Sequence, residues 1–309
     1  MPRVSVIMNV RNGAGTLRAA LESALTQTYR DWELIVWDDR SSDDSAEVVA
    51  GFTDPRIRYM LSPEESSLGQ ARDLAIRQAC GEWLAFLDQD DIWLPHKLEL
   101  QIALADSPQV GVIYGRSVCF SSCGGEKDYD QFHEFSALPE GDILAELLGK
   151  GSFIAMSSAL IRRSAVNELG GIPADVRIIP DYYLYAAVCR KYQARAVQEV
   201  ICRYRIHPGS MNHTHRRESL EETLALIETW SKRVPPEALA KRHMGISTAL
   251  ALEELRRWET VRQGVSRLAT DGSILWLAAR PFVHLWRTIR RRLQRPQWKR
   301  SAGCYRPDE

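Results

Sequence analysis

Short apolar runs alternate with amphipathic segments along the first hundred residues. Val4 to Met8 is a compact apolar run, the pattern of a strand buried on both faces. Asn12-Gly13 and Gly15 break it, and Leu17, Ala20, Leu21, Ala24 and Leu25 then recur at helical spacing. Glu33 to Trp37 reads as a second strand, ending in Asp38-Asp39 and a polar turn. Ser45 is the expected N-cap of a helix reaching about Gly51. Arg56 to Leu61 predicts a third strand and Leu68 to Cys80 a helix. Trp83 to Leu87 predicts a fourth strand that runs directly into Asp88-Gln89-Asp90-Asp91. Strands alternating with helices imply right-handed crossovers and a mostly parallel sheet. Such sheets bind ligands beyond the carboxyl ends of their strands, where both acidic clusters fall.

After Val110 the pattern becomes mixed. Val110 to Tyr114 and Ile154 to Ile161 are expected strands, Asp181 to Lys191 a helix, and Ala194 to Tyr204 a last strand. Phe120 to Gly141 is polar and aromatic with a Gly124-Gly125 pair, the composition of a long loop. Beyond Thr214 the chain turns helical, with Leu220, Leu224, Ile227 and Trp230 on one stripe and Pro235-Pro236 as punctuation. The expected division is therefore an α/β domain over 1–213 and a helical extension over 214–309. No internal repeat or low-complexity tract interrupts either part.

Composition narrows the class without choosing a function. Of 309 residues 45% are hydrophobic and 26% charged, which excludes collagen-like and largely disordered chains. Forty basic residues balance forty acidic ones, but unevenly along the chain. Residues 280–309 hold nine Arg or Lys against Asp308 and Glu309, a local +7, and the remaining residues carry −7. Phe282, Trp286, Ile289 and Leu293 share one helical face, while Arg287, Arg290, Arg291 and Arg295 spread around the other. That pattern over 274–300 fits adsorption to an anionic membrane surface, or equally a docked helix with a solvated arginine face. No nucleic-acid recognition fold accompanies the basic run, so nucleic acid is not an expected partner. No apolar stretch spans a bilayer, the start lacks a secretory-signal layout, and six cysteines are too sparse for a disulfide scaffold. The expected location is the cytoplasm, with attachment to the cytoplasmic membrane face if the tail adsorbs.

The candidate chemistry lies in the acidic clusters. Crowded carboxylates repel one another unless a cation or hydrogen-bond donor compensates them. Oxygen-rich sites of this kind suit Mg²⁺ or Mn²⁺, held by one or two carboxylates together with a substrate phosphate. Asp38-Asp39 offers one carboxylate to accept from a nucleobase or ribose and another to brace the turn. A solvated turn or an N-cap is the competing use of each aspartate, and the coincidence of two clusters at strand ends argues against it.

In order, several segments resemble the family 2 glycosyltransferases of GT-A fold. They are Val4-Ser-Val-Ile-Met-Asn-Val-Arg-Asn-Gly13, Ala24-Leu-Thr-Gln-Thr-Tyr29 and Asp31-Trp-Glu-Leu-Ile-Val-Trp-Asp-Asp-Arg-Ser-Ser42. Gly69-Gln-Ala-Arg-Asp-Leu-Ala75 and Gly81-Glu-Trp-Leu-Ala-Phe-Leu-Asp-Gln-Asp-Asp-Ile-Trp-Leu-Pro95 continue the series. Gly170-Gly171, Pro180-Asp-Tyr-Tyr-Leu184 and Tyr204-Arg-Ile-His-Pro-Gly-Ser210 look like later landmarks, so the resemblance spans roughly residues 3–212.

The resemblance implies a Rossmann-like GT-A domain that transfers a sugar, with inversion, from a nucleotide-sugar donor, commonly a UDP-sugar. The implied acceptor is a saccharide or glycolipid in surface polysaccharide or glycolipid assembly. It implies that Asp39 reads the base with Asn9 and Arg11 flanking it, and that Arg72 lies near the nucleotide. Asp88 and Asp90 become the ends of an Asp-x-Asp motif, with Asp90 the direct ligand of Mn²⁺ or Mg²⁺. Asp181 becomes the base that deprotonates the acceptor hydroxyl. His207, inside the last landmark, is a candidate phosphate or metal contact. Two positions depart from the family pattern. Arg11 stands where an aromatic is common, although a guanidinium can also stack on a base. Pro180 replaces a common Glu before Asp181, which leaves Asp175 as an alternative base. His207, His213 and His215 cluster after the last expected strand, where a zinc site would need further ligands and a fixed geometry and a loop touching donor phosphates or solvent is the favoured reading; the cysteines read as core thiols. Two non-catalytic readings remain beside the enzyme: a nucleotide-sugar or saccharide-binding module, and a membrane-surface scaffold.

Overall fold

The computed structural model describes residues 1–121, 129–130, 135–207, 214–230, 234, 239–240, 242–251 and 253–254. Much of the Phe120–Gly141 loop, His213 and the basic segment 274–300 lie outside the described residues. The chain divides into a unit Met1–Leu250 and a unit Ala251–Glu309. Among the described residues no helix is long and apolar enough to cross a membrane.

The first half of the larger unit is the expected parallel sheet. Strands β1 (Val4–Val10), β2 (Trp32–Asp38), β3 (Ile57–Leu61) and β4 (Trp83–Phe86) lie in the order β3-β2-β1-β4, each parallel to its neighbour. Helices α1 (Ala14–Leu25), α2 (Ser45–Ala50) and α3 (Leu68–Arg77) make the crossovers. Beyond β4 the sheet becomes mixed, as β5 (Ile92–Trp93), β6 (Val110–Ser121), β7 (Tyr129–Asp130), β8 (Leu160–Arg162) and β9 (Gln193–Ile206) join it. Strand β8 is antiparallel to β4 and β6, whereas β9 is parallel to β6. Helices α4 (Lys97–Ile102), α5 (Leu144–Lys150), α6 (Arg163–Glu168), α7 (Pro180–Val188) and α8 (Arg216–Trp230) complete the unit.

Side-chain alternation along the central strands divides the core into two layers. Val4, Val6, Met8 and Val10 of β1 pack with Leu17, Ala20, Leu21 and Ala24 of α1. Ile7, Ile35, Trp37, Leu84 and Phe86 face the other way, toward Ala71, Ala75 and Ile76 of α3 and the apolar side of α7. Leu17 and Leu21 have no exposed surface, and burial of such a side chain contributes about 1.5–3 kcal/mol. The α3 start is fixed by a capping box: Ser67 Oγ accepts from Gln70 N at 3.3 Å, and Gln70 Oε1 accepts from Ser67 N at 3.2 Å.

Several local expectations differ from the structure: β6 runs on to Ser121 instead of ending near Tyr114, and β7 falls inside the expected Phe120–Gly141 loop. Only Leu160–Arg162 of the expected Ile154–Ile161 strand is extended, and Met156–Ser158 forms a 3₁₀ turn. Ser158 Oγ donates to Ala155 O at 2.8 Å, a side-chain bond that competes with a strand ladder. The α2 N-cap is Asp44 rather than Ser45. The Ser45 hydroxyl is engaged instead by Asp43 Oδ1 at 2.5 Å and by the Gly13 N–H at 3.0 Å, tying α2 to the β1–α1 loop.

Gly69 sits where the backbones of α3 and the segment before α7 meet. A Cβ at Gly69 would collide with the Val176 carbonyl oxygen, and Gly69 N donates to Arg177 O at 3.3 Å. Alanine normally improves a helix interior by roughly 0.5–1 kcal/mol, but overpacking costs typically about 1–3 kcal/mol. Gly69→Ala is therefore expected to lower stability by about 1–3 kcal/mol in a denaturant titration. Gly15→Ala, whose Cβ would meet nothing within 4 Å, should not. An unchanged or raised midpoint for Gly69→Ala contradicts the close approach.

Candidate active site

Parallel pairing brings the ends of β1, β2 and β4 to one edge, where the side chains leave the sheet on opposite faces. Asp38 and Asp39 divide in this way. Asp38 Oδ1 accepts from Ser41 N at 2.7 Å, and Asp38 Oδ2 accepts from Tyr59 Oη at 2.8 Å, so this carboxylate braces the turn. Partial desolvation of the Tyr59 hydroxyl and its bond to Asp38 push its pKa up to about 12. Asp39 is 5% exposed and lies under the β3–α3 loop. It accepts from Ser66 N at 3.1 Å and Ser66 Oγ at 2.9 Å, and Arg11 Nη1 lies 3.4 Å from Oδ2. The other arm of Arg11 pairs with Glu65. Arg11 thus flanks Asp39, with about half of its side chain exposed.

Asn9 lies next to Trp37 across the β1–β2 pair, close to this edge. Both polar atoms of the Asn9 amide are buried without a hydrogen-bond partner in the protein, as are Trp37 Nε1 and Arg72 Nε. A buried polar atom left unsatisfied costs about 1–3 kcal/mol. The three groups therefore hold hydrogen-bonding capacity for a polar guest.

The acidic turn after β4 spreads its aspartates over both faces. Asp88 reaches toward α3, where Arg72 Nη2 donates to Oδ1 at 2.9 Å. Arg72 is 3% exposed, a nearly buried guanidinium. Desolvation pushes the Asp88 carboxyl up to about 6; Arg72 opposes the shift, and the charges of Asp90 and Asp181 add to it. Asp91 turns inward, accepting from Ser157 Oγ at 2.6 Å and from Arg205 N at 2.8 Å. Burial, followed by Asp88 and Asp90, raises its pKa well above the usual carboxylate range. Ser157 Oγ also accepts from Asp88 N at 3.0 Å, so the 3₁₀ turn ties two of the three aspartates. Gln89 joins the turn to the first loop, accepting from Arg11 N at 2.9 Å and donating to Arg11 O at 3.2 Å.

Asp90 faces the opposite side of the turn. His207 Nε2 lies 2.8 Å from Asp90 Oδ2, and Arg205 Nε donates to Asp90 O at 2.6 Å. Asn12, Gly13, Gly15, Thr16, Gln89, Asp90, Arg205 and His207 line an open cleft of about 290 Å³. Among the described residues no group of three or more His, Cys, Asp or Glu is arranged to hold a metal by itself. At the cleft only Asp90 and His207 face each other, one carboxylate and one imidazole. Such a pair fits Mg²⁺ or Mn²⁺ only in the mode where a substrate phosphate and water complete the ligand shell.

Asp181 approaches from α7. It lies in the first turn, one residue after Pro180, while the N-cap is Ile179. Proline at the first helical position has no N–H to leave unsatisfied and presets the helical φ. Burial raises the Asp181 pKa, with Arg72 and the backbone N–H groups of Tyr182 and Asp181 opposing. The raised value makes Asp181 a stronger proton acceptor than an exposed aspartate. Arg72 is thus the cation that both Asp88 and Asp181 feel. Asp175 is exposed on the preceding loop.

Several members of this network carried no sequence signal of their own. Ser157 sits in an expected strand, and Ser66 and Glu65 sit in a polar loop without a motif. Arg205 belongs to the segment Tyr204 to Ser210, but only its geometry reveals that it holds the backbone of Asp90 and the carboxylate of Asp91.

Residues 5–170 match the family model described as "Glycosyl transferase family 2". The chain is similar to two Escherichia coli proteins, WfgD and WfaP, each named a UDP-Glc:alpha-D-GlcNAc-diphosphoundecaprenol beta-1,3-glucosyltransferase. WfgD is 41% identical over 112 residues, covering 36% of this chain but only 44% of its own length. WfaP is 31% identical over 227 residues, covering 73% of this chain and 86% of its own. Among solved structures, the mannosyltransferase PcManGT of Pyrobaculum calidifontis, in complex with GDP-Man and Mn²⁺, superposes with a TM-score of 0.58. That match covers 93% of this chain and 82% of PcManGT at 22% identity, a likeness of fold. With over half of its length matched by the family model and a relative of this identity along most of the chain, the protein belongs to the family 2 glycosyltransferases.

Proposed function

We propose that the chain is an inverting glycosyltransferase that moves a sugar from a UDP-sugar to a saccharide acceptor carried on a lipid diphosphate. One observation carries the reading: Arg72, Asp88 and Asp181, which arrive from α3, the turn after β4 and α7, interact at the carboxyl edge of the parallel strands. The names of WfgD and WfaP support the donor nucleotide and the acceptor class.

Each residue has a role that its surroundings suit. Asp39 accepts a hydrogen bond from the base, with the Asn9 amide beside it and the Arg11 guanidinium free to stack once it leaves Glu65. Arg72 holds Asp88 in place and offers positive charge to the nucleotide side of the site. Asp90, with His207 beside it, would hold Mn²⁺ or Mg²⁺, which when bound would supply positive charge to the departing diphosphate. Asp181 takes the proton from the acceptor hydroxyl as that oxygen attacks the anomeric carbon on the face opposite the nucleotide. The bond to the diphosphate breaks as the new glycosidic bond forms, so no covalent enzyme intermediate is required. A base so placed contributes roughly 10²–10⁴-fold.

Asp181→Asn should therefore lower kcat by roughly 10²–10⁴-fold while leaving UDP affinity, measured by calorimetry, near that of the parent. Undiminished turnover in Asp181→Asn would remove the base role and favour a different carboxylate. A protein that binds UDP but turns over no donor would instead favour the nucleotide-sugar-binding module. Sugar transfer should also stop in EDTA and return with Mn²⁺, and Asp90→Ala should not be rescued by saturating Mn²⁺. EDTA-resistant transfer at the parental rate would contradict metal dependence.

A further inference from the structure

Helix α8 lies beyond residue 170, where the family match ends, yet it packs into the same core as α3 and α7. Leu226 and Trp230 are buried on it, and helical spacing puts Glu222 on the same stripe, one turn before Leu226. An apolar side chain is the usual occupant of such a position. Glu222 is half-buried, and its carboxylate is satisfied by backbone. Oε1 accepts from Arg177 N at 3.1 Å and Ile178 N at 3.2 Å, and Oε2 accepts from Ile178 N at 3.0 Å and Ile179 N at 3.1 Å. One carboxylate thus binds three successive N–H groups of the segment that leads into α7. Charge-assisted bonds of this kind are roughly twice as strong as neutral ones.

The gripped segment ends two residues before Asp181. Its other side is held by α3, through the close contact of Gly69 with Val176 and the bond from Gly69 N to Arg177 O. Arg72 lies three residues further along that same helix. A second tie joins α8 to α7, since the Tyr183 and Trp230 rings lie 5.7 Å apart and Arg190 covers the Trp230 ring at 5.4 Å.

We propose that Glu222 is a positioning residue for Asp181: its carboxylate fixes the 177–179 backbone and so sets where the first turn of α7 presents the Asp181 carboxylate relative to Arg72. The proposal rests on Asp181 being the base. A misplacement of about 1 Å can cost on the order of 10²-fold in rate. Glu222 therefore acts on the rate of the chemical step and not on donor affinity.

The test compares the full-length parent with Glu222→Ala, Glu222→Gln, Asp181→Asn and the Asp181→Asn/Glu222→Ala double variant. Amide hydrogen exchange of residues 177–183 reads the backbone directly, and kcat, acceptor KM and UDP affinity read the site. Glu222→Ala should lose protection at 177–179 and lower kcat by about 10–100-fold, with UDP affinity and acceptor KM near parental. Glu222→Gln, which keeps one accepting oxygen, should fall between them and supplies the measurement if the alanine variant folds poorly. In the Asp181→Asn background the alanine substitution should cause little further loss, as expected for residues acting as a unit. Parental exchange at 177–179 in both Glu222 variants would overturn the proposal, and so would an equal loss of kcat with and without Asp181. Full activity of Asp181→Asn alone would instead overturn the base assignment, leaving the exchange result to report on the backbone grip by itself.

Discussion

A nearly buried guanidinium, that of Arg72, sits between carboxylates supplied by separate parts of the chain, and the arrangement of the site depends on it. Without that positive charge Asp88 and Asp181 would share a desolvated space with no cation to offset their burial, since Arg205 and His207 serve Asp90 instead. Arg72 bonds Asp88 and opposes the rise in basicity of Asp181, but it does not cancel the effect of burial on either. Burial thus raises the pKa of both carboxyls, while Arg72 acts on each in a different way. The asymmetry comes from direct contact with Asp88 and a longer-range effect on Asp181.

The sheet explains why such a cluster can form at all. Parallel strands place their carboxyl ends together, and alternation sends adjacent residues to opposite faces, so Asp38 stiffens the turn while Asp39 faces the α3 side. The turn after β4 repeats the division, with Asp88 toward α3, Asp91 into the interior and Asp90 toward His207. Each carboxylate of that turn has its own partner, even though Ser157 and Arg205 each touch two of the three residues, which is how three carboxylates in four residues coexist. Hydrogen bonds from Ser157 and the Arg205 backbone hold the inward one, and the two outward ones remain available to the cleft and the α3 face.

The parallel half of the fold was legible from the sequence because β1, β2 and β4 are buried on both faces and read as apolar runs, while the partly exposed edge strand β3 still falls in the strand–helix alternation. Its carboxyl ends were legible because acidic residues follow those runs directly. The pairings of Arg72 with Asp88 and of His207 with Asp90 are contacts that only the fold supplies, since the partners lie 16 and 117 residues apart. The 3₁₀ turn at Met156–Ser158 was not legible, since an apolar run reads as a strand until serine hydroxyls find tertiary partners. Glu222 was hidden for a related reason. In sequence it is one acid among several on a helix, and only the fold shows three N–H groups converging on it. Residues whose partners lie along the strand or helix period can be read in advance, whereas residues whose partners are backbone groups from a distant loop cannot.

The account stands on an acceptor hydroxyl being deprotonated on the face opposite the departing nucleotide, which requires the sugar to change anomeric configuration. Nuclear magnetic resonance of the product made from a UDP-α-linked sugar measures this directly, through the anomeric coupling constant of the transferred residue. The arrangement of Asp181, Arg72 and the acidic turn predicts a β-linked product. An α-linked product would mean that the acceptor attacked from the same face as the departing nucleotide or through two displacements, and it would contradict the account.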